Sequence, residues 1–209
     1  MQEYKIVVQG TRKIITYLKS YLKIPFKLYY FAKQNENYFK KLKKADVVIT
    51  MSWGKTMWGG TENLKVPEVQ NLKLIHLPGA GTDAINFSQL PKNCKVCNVY
   101  EHEIPIAEYC IANILNWEMN LIEKISKFKN LDWSDCMIFD GPTHNELYDK
   151  TIGILGYGKI GKEIAKRIKP FGTHLIGYTR TNRKKDKYLN NLYLSNDIKK
   201  NIGSLDYLI

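Results

Sequence analysis

Short apolar runs alternate with amphipathic, lysine-rich segments along the first half of the chain. These runs are rich in β-branched and aromatic residues: KIVVQG, KLYYF, ADVVIT, LKLIHLPG and KVCNVY, at residues 5–10, 27–31, 45–50, 72–79 and 95–100. Strands that alternate with helices are typical of a parallel sheet with helices on both faces. The pattern therefore predicts one α/β domain over residues 1–101.

The longest helical pattern covers residues 104–126. Its apolar residues recur at helical spacing and form one stripe: Ala107, Cys110, Ile111, Ile114, Leu115, Ile122 and Ile125. At about 1.5 Å per residue such a helix would reach about 30 Å, enough to connect two domains. An ordinary core helix explains the periodicity equally well. The polar residues 127–149 that follow predict an irregular connection.

A second alternation of strand and helix begins with the run TIGIL (Thr151–Leu155), which has the composition of a buried strand. Residues 159–171 then repeat apolar side chains at helical spacing, and HLIGY (residues 174–178) predicts the next strand. These elements form a βαβ unit. A second α/β domain is therefore expected over residues 102–209.

Three glycines, Gly156, Gly158 and Gly161, lie between the first strand of this unit and its helix. This is the context that a dinucleotide-binding G-x-G-x-x-G motif requires. The first glycine permits the tight turn, the second lets a pyrophosphate approach the backbone, and the third lets the helix pack closely on the strand. The helix N-terminus then offers N–H groups and a positive dipole end to the phosphates. A purely structural glycine turn is the alternative.

The residues after the second strand of this unit bear on the choice of cofactor. Enzymes that favour NAD usually place Asp or Glu there to hold the ribose hydroxyls, but here Thr179 is followed by Arg180. Thr179 does not repel a 2′-phosphate, and Arg180 can donate two parallel hydrogen bonds to it. Arg183, Lys184 and Lys185 add to the positive field. The segment therefore predicts that NADP(H) is favoured over NAD(H), with a solvated basic loop as the alternative.

The formal net charge is +12 over 209 residues. The lysines are spread along the chain, and no RNA-binding signature or zinc-finger spacing accompanies them, so a nucleic-acid partner is not expected. No run approaches the roughly 18 consecutive apolar residues that predict a membrane span. The N-terminal residues lack the features of a signal peptide. A cytoplasmic location without a membrane partner is therefore expected.

The four cysteines are too few and too scattered for a disulfide framework. Cys94 and Cys97 have a C-x-x-C spacing, but they lie in a strand-like run with no second pair and no nearby cluster of histidines. This favours ordinary buried thiols over a metal or redox site. No metal site is expected.

Three blocks of sequence, in order along the chain, resemble the D-isomer-specific 2-hydroxyacid dehydrogenases. LKLIHLPGAGTDAI resembles the strand and G-x-G-x-D loop of that family, NVYEHEIPIAEYCIANIL its interdomain helix, and ELYDKTIGILGYGKIGKEIAKRIKPFG its dinucleotide signature. The similarity extends over nearly the whole chain. It implies a flavodoxin-like substrate domain followed by a Rossmann dinucleotide-binding domain.

The resemblance also implies roles for single residues. Ala80, Gly81 and Thr82 would bind the carboxylate of a small 2-keto or 2-hydroxy acid, because a concave set of N–H groups suits an anion. Without the resemblance, a simple turn explains this loop equally well. Asp83 is expected to anchor the following turn. The cofactor would be bound by Gly156, Tyr157, Gly158, Lys159, Ile160, Gly161, Thr179 and Arg180.

The loop at residues 50–60 follows the carboxyl end of a predicted strand and is expected to face the cleft between the domains. It contains Trp53 and Trp58, which would shape a pocket there. Packing is the alternative role for both tryptophans.

The chain departs from the family pattern towards its end. In the family the catalytic Arg, Glu and His follow the third strand of the nucleotide domain, and SLDYLI (residues 204–209) resembles that strand. Arg180 is not the catalytic arginine, and His76 and His174 lie in predicted strands as structural residues. We therefore expect no catalytic residue before residue 209, a Rossmann domain truncated after about its third strand, and an inactive chain.

The complete enzyme would transfer a hydride between NAD(P)H and the acid, and the family implies a homodimer. The alternative is a non-catalytic dinucleotide-binding regulatory protein of the same fold, since the resemblance extends to transcriptional corepressors.

Overall fold

The apolar runs of the first half form a five-stranded parallel sheet in a computed structural model, which describes residues 2–10, 12–56, 64–136 and 141–209. The strands are β1 (Tyr4–Gln9), β2 (Phe26–Phe31), β3 (Val47–Ile49), β4 (Leu74–His76) and β5 (Lys95–Cys97). Their order is β2-β1-β3-β4-β5, and every pairing is parallel. This is the flavodoxin-like order, so the predicted fold of this region is confirmed.

Two helices cover the sheet, α1 (Lys13–Tyr21) on one face and α2 (Glu36–Leu42) on the other. Neighbouring residues of a strand point to opposite faces, so Val7 packs with the α2 cluster while Ile6 and Val8 pack with the α1 cluster. Both clusters exclude water from the strand centres. The loops that follow the strands start from this packed sheet. The chain divides into two units, Met1–Tyr100 and Glu101–Ile209.

The second unit begins with two helices, α3 (Glu103–Met119) and α4 (Leu121–Lys129). The prediction of one helix over residues 104–126 is therefore wrong. Asn120 adopts a left-handed conformation with φ of +49°, which ends α3. Beyond this break the apolar stripe leaves the core, since Ile122 is 72% and Ile125 is 53% exposed.

A four-stranded parallel sheet forms the centre of the second unit. Its strands are β6 (Thr151–Leu155), β7 (His174–Thr179), β8 (Asn191–Leu194) and β9 (Tyr207–Leu208), in the order β8-β7-β6-β9. This is the order of the first four strands of a Rossmann sheet, so the predicted Rossmann fold is confirmed. The run SLDYLI supplies the fourth strand rather than the third, because β8 was missed. Three of the four residues in β8 are exposed, so it lacks the apolar signal of a buried strand.

The described part of this unit also contains the α-helices α5 (Lys159–Ile168) and the short α6 (Ile198–Asn201). The core lies between α3, α5 and the sheet, where Ala107 and Ile111 share one cluster with Ile164 and Ala165. Over the four described ranges, none of the helices is both long and apolar enough to cross a membrane.

Candidate dinucleotide site

The turn between β6 and α5 is short and requires glycine for two different reasons. Gly156 has φ of +96°, a conformation that side chains rarely adopt. A Cβ on Gly161 would lie 2.9 Å from the Gly156 carbonyl oxygen and 2.9 Å from Cγ2 of Ile154. The first glycine therefore allows the chain to turn, and the other allows α5 to pack against β6.

Gly158 faces open space. A Cβ placed on it would meet only the Gly156 carbonyl oxygen, at 3.9 Å. The residue is the N-cap of α5, and no side chain caps the helix there. An anion can therefore approach the backbone and the positive end of the helix dipole without displacing a side chain. The turn thus fits the pyrophosphate of a dinucleotide.

A cavity of about 390 Å³ opens beside this turn. Among the described residues, four cationic side chains and one carboxylate line it, together with parts of the turn: Lys159, Lys162, Arg183, Lys184, Asp186, Tyr157 and Gly158. The excess of positive charge favours an anionic ligand. Ile160, the remaining predicted residue of the turn, is 37% exposed.

Tyr157 is held in place by contacts of both its side chain and its backbone. Its side chain is only 5% exposed, and its N–H donates to the Tyr178 carbonyl at 2.9 Å. Small neighbours make room for the ring, because a Cβ on Gly177 would lie 3.1 Å from its Cγ. The hydroxyl donates to the carboxylate of Asp186, with both oxygens at 2.9 Å. Burial, and then this hydrogen bond, raise the pKa of Tyr157 well above its ordinary value.

Asp186 was not predicted as a site residue. Its carboxylate accepts from the Tyr188 N–H at 3.0 Å and lies 3.6 Å from Nζ of Lys162. In the same loop, the Arg183 guanidinium donates to the Tyr157 carbonyl. The basic segment (residues 180–187) therefore lies against the glycine turn. The one acid within the run RTNRKKDK was the available signal.

Thr179 and Arg180 lie at the carboxyl end of β7, beside the turn in the sheet order. Thr179 is 4% exposed, and its hydroxyl donates to the Thr181 carbonyl at 2.7 Å. Arg180 is exposed. Neither residue is among the described side chains that line the cavity.

The loop predicted to bind substrate lies in the first unit, after β4. Ala80 and Gly81 are exposed and Thr82 is half-buried. Asn98 holds the loop through a hydrogen bond from its side-chain amide to the Ala80 carbonyl, at 2.6 Å. A Cβ on Gly81 would lie 3.0 Å from a carboxylate oxygen of Asp83. The loop is thus open and fixed in shape, and its predicted contact with a carboxylate stays a prediction.

Trp53 is 3% exposed, and its indole N–H donates to the Gln89 carbonyl at 3.3 Å. These contacts fit the packing role rather than a place in an open pocket. Trp58 lies within residues 57–63, outside the described residues.

The C-x-x-C pair differs from the buried thiols that the sequence predicts. Cys97 is exposed at the edge strand β5, and its sulfur lies 3.4 Å from Nδ1 of His76 on the neighbouring strand. Burial lowers the pKa of His76 below its ordinary value. Cys94 is half-buried. Within the part of the chain that the structure describes, no group of three or more His, Cys, Asp or Glu side chains could hold a metal ion.

Comparison with known proteins identifies a similar domain. Residues 111–209 match the NAD-binding domain of D-isomer specific 2-hydroxyacid dehydrogenases. The D-3-phosphoglycerate dehydrogenase of Methanocaldococcus jannaschii is 32% identical over 145 residues, which are 68% of this chain and 26% of that protein. The hydroxypyruvate reductase of Thermotoga maritima is 32% identical over 111 residues, 52% of this chain and 35% of that protein.

Among solved structures, the 2-hydroxyacid dehydrogenase of Ketogulonicigenium vulgare superposes with a TM-score of 0.76 at 16% identity, covering 100% of this chain and 63% of that chain. This likeness supports the fold. The chain spans less than two thirds of the length of each of these three proteins.

Proposed function

We propose that the chain is part of an oxidoreductase acting on a small 2-keto or 2-hydroxy acid, because residues 111–209 match the NAD-binding domain of D-isomer specific 2-hydroxyacid dehydrogenases. The observation that carries this proposal is the glycine turn after β6, open at Gly158 and bordered by a cationic cavity. The bound nicotinamide would supply or accept the hydride.

The chain's own residues would hold and orient the two reactants. Gly158 and the first turn of α5 receive the pyrophosphate, and Lys159 and Lys162 neutralise its charge. In the first unit, the backbone of Ala80 and Gly81, with Thr82, binds the substrate carboxylate. The support for this loop is its exposure and the fixed shape that Asn98 gives it.

NADP(H) is the proposed cofactor in preference to NAD(H). Thr179 brings no carboxylate to the end of β7, and Arg180 is exposed there. The cationic side chains of Arg183 and Lys184 line the adjoining cavity. An extra phosphate would therefore meet positive rather than negative charge.

The experiment is a titration of the chain with NADPH and NADH, for wild type and for Gly158→Ala. The added methyl group has room in the empty turn, so the variant should fold normally, but it occupies the space that the pyrophosphate needs. We expect dinucleotide binding to weaken by about tenfold or more, which corresponds to about 1.4 kcal/mol. Gly203→Ala is the matched control, since a Cβ there meets nothing within 4 Å and the residue does not line the cavity. Wild-type protein that binds neither dinucleotide would refute the proposal.

Three further predictions from the sequence remain predictions. They are the cytoplasmic location, the homodimer of the complete enzyme, and the absence of reductase activity in this chain. No observation favours the alternative of a non-catalytic regulatory protein.

A further inference from the structure

We propose that the hydrogen bond between Tyr157 and Asp186 is a clamp that holds the basic segment against the glycine turn, and that these two positioning residues thereby favour NADPH over NADH. The inference rests on the proposed function and extends it to cofactor choice. Neither residue needs to touch the cofactor for this role.

Tyr157 is suited to be the fixed side of the clamp. Its ring is buried beside Gly161 and Gly177, and its N–H is bonded to β7 through the Tyr178 carbonyl. It meets the basic segment at two points. The hydroxyl reaches Asp186, and the carbonyl accepts a hydrogen bond from Arg183.

Asp186 is suited to be the movable side. Three groups satisfy its carboxylate: the Tyr157 hydroxyl, the Tyr188 N–H and the ammonium of Lys162 on α5. Its negative charge is therefore matched inside the protein rather than directed at a ligand. Without this attachment, the like charges of the basic segment would repel one another and favour extended, solvated conformations.

The clamp already holds Arg183 in position when no ligand is bound. Its guanidinium already lies on the glycine turn, so less conformational freedom is lost when it meets a phosphate. Both dinucleotides carry the pyrophosphate, but only NADPH carries the additional phosphate, so binding of NADH should depend less on this arrangement. The clamp therefore affects the ratio of the two affinities more than the affinity for NADH.

The effect of removing Asp186 distinguishes positioning from simple electrostatics. Asp186→Asn deletes the one negative charge among the described side chains that line the cavity, so charge alone predicts tighter binding of NADPH. The clamp predicts the opposite sign, because Arg183 loses its position. Tyr157→Phe removes only a hydroxyl and changes no charge.

The experiment measures NADPH and NADH affinities for wild type, Tyr157→Phe, Asp186→Asn and the double variant, with thermal unfolding to check that each folds. We expect each single substitution to lower the affinity for NADPH by about tenfold and the affinity for NADH by about twofold at most. The double variant should bind NADPH no more weakly than either single variant, because the two substitutions break the same hydrogen bond. Asp197→Asn is the matched control, since it removes an acid paired with Lys200 on the surface.

Limited trypsin digestion tests the clamp without any cofactor. The basic segment contains Arg183, Lys184 and Lys185 as cleavage points, and loss of the clamp should accelerate cleavage there in both single variants. Tighter NADPH binding by Asp186→Asn, or an unchanged affinity ratio in Tyr157→Phe, would overturn the inference. If the wild-type protein bound neither dinucleotide, the proposed function and the role of the clamp in cofactor choice would both be refuted. The digestion would still decide whether the clamp exists.

Discussion

Arg180 and Arg183 are both placed to meet an additional phosphate, and the protein holds them differently. Arg180 is exposed at the end of β7, whereas Arg183 is bonded to the carbonyl of Tyr157. A free side chain loses more rotamer entropy on binding than one that is already held. Each arginine can therefore contribute separately to the affinity for NADPH.

Substitution of the two residues at the end of β7, Thr179 and Arg180, should reverse the cofactor preference. Wild type is expected to bind NADPH about 10- to 100-fold more tightly than NADH, because a hydrogen bond to a charged group contributes roughly 1.5–3 kcal/mol, reduced at an exposed site. Thr179→Asp combined with Arg180→Ala supplies the acid that holds ribose hydroxyls and should favour NADH. Titrations with both dinucleotides measure the ratio.

Two controls accompany this exchange. Arg180→Ala alone keeps Arg183 and should only reduce the preference. The hydroxyl of Thr179 donates to the Thr181 carbonyl, and an aspartate cannot, so the double variant should also lose about 0.5–1.5 kcal/mol of stability. Equal binding of NADH and NADPH by wild type at low salt would contradict the role of Arg180.

Single residues differ in how far the sequence predicts them. The glycines of the turn were predictable, because their roles follow from local geometry between a strand and a helix. Asp186 was not, since its contact with Tyr157 depends on how a loop of many residues folds back. Spacing along the chain carries no information about such a contact.

At the level of elements, the break between α3 and α4 shows where periodicity fails. Apolar residues keep their helical spacing across Asn120, so the pattern continues although the helix does not. Only the conformational preference of asparagine for the left-handed region marked the break. The strands β1 to β7 were predicted because each has a run of apolar residues, and the exposed strand β8 lacks one.

Substitution of Asn120 tests what ends α3. Asn120→Gly and Asn120→Ala both remove the hydrogen bond from its side chain to Glu123, so they differ chiefly in backbone preference. Alanine is strained at φ of +49° and glycine is not. Urea unfolding should find the alanine variant less stable than the glycine variant by about 1 kcal/mol. Equal stability would mean that the left-handed conformation does not hold the break.

For the whole molecule, the exposed apolar side chains near the break predict self-association. Trp117 is 77%, Ile122 72% and Ile125 53% exposed, and exposed apolar surface of this kind favours contact between copies. Sedimentation velocity should find dimers or larger species, shifted towards monomer by Ile122→Lys. Tyr17→Lys, at a side chain that is 63% exposed in the first unit, should leave the distribution unchanged. A monodisperse monomer of the wild-type protein would contradict the predicted self-association.

The central place of β6 in its sheet has a consequence for the order of folding. On one side β6 pairs with β7, and on the other with β9, through Ile152 and Tyr207. The Thr151 N–H also donates to the Asp206 carboxylate at 2.7 Å. During synthesis, one edge of β6 therefore stays open until these distant residues have left the ribosome, and closing so long a loop is slow. The strand that carries the glycine turn is thus among the last to gain its full set of backbone partners.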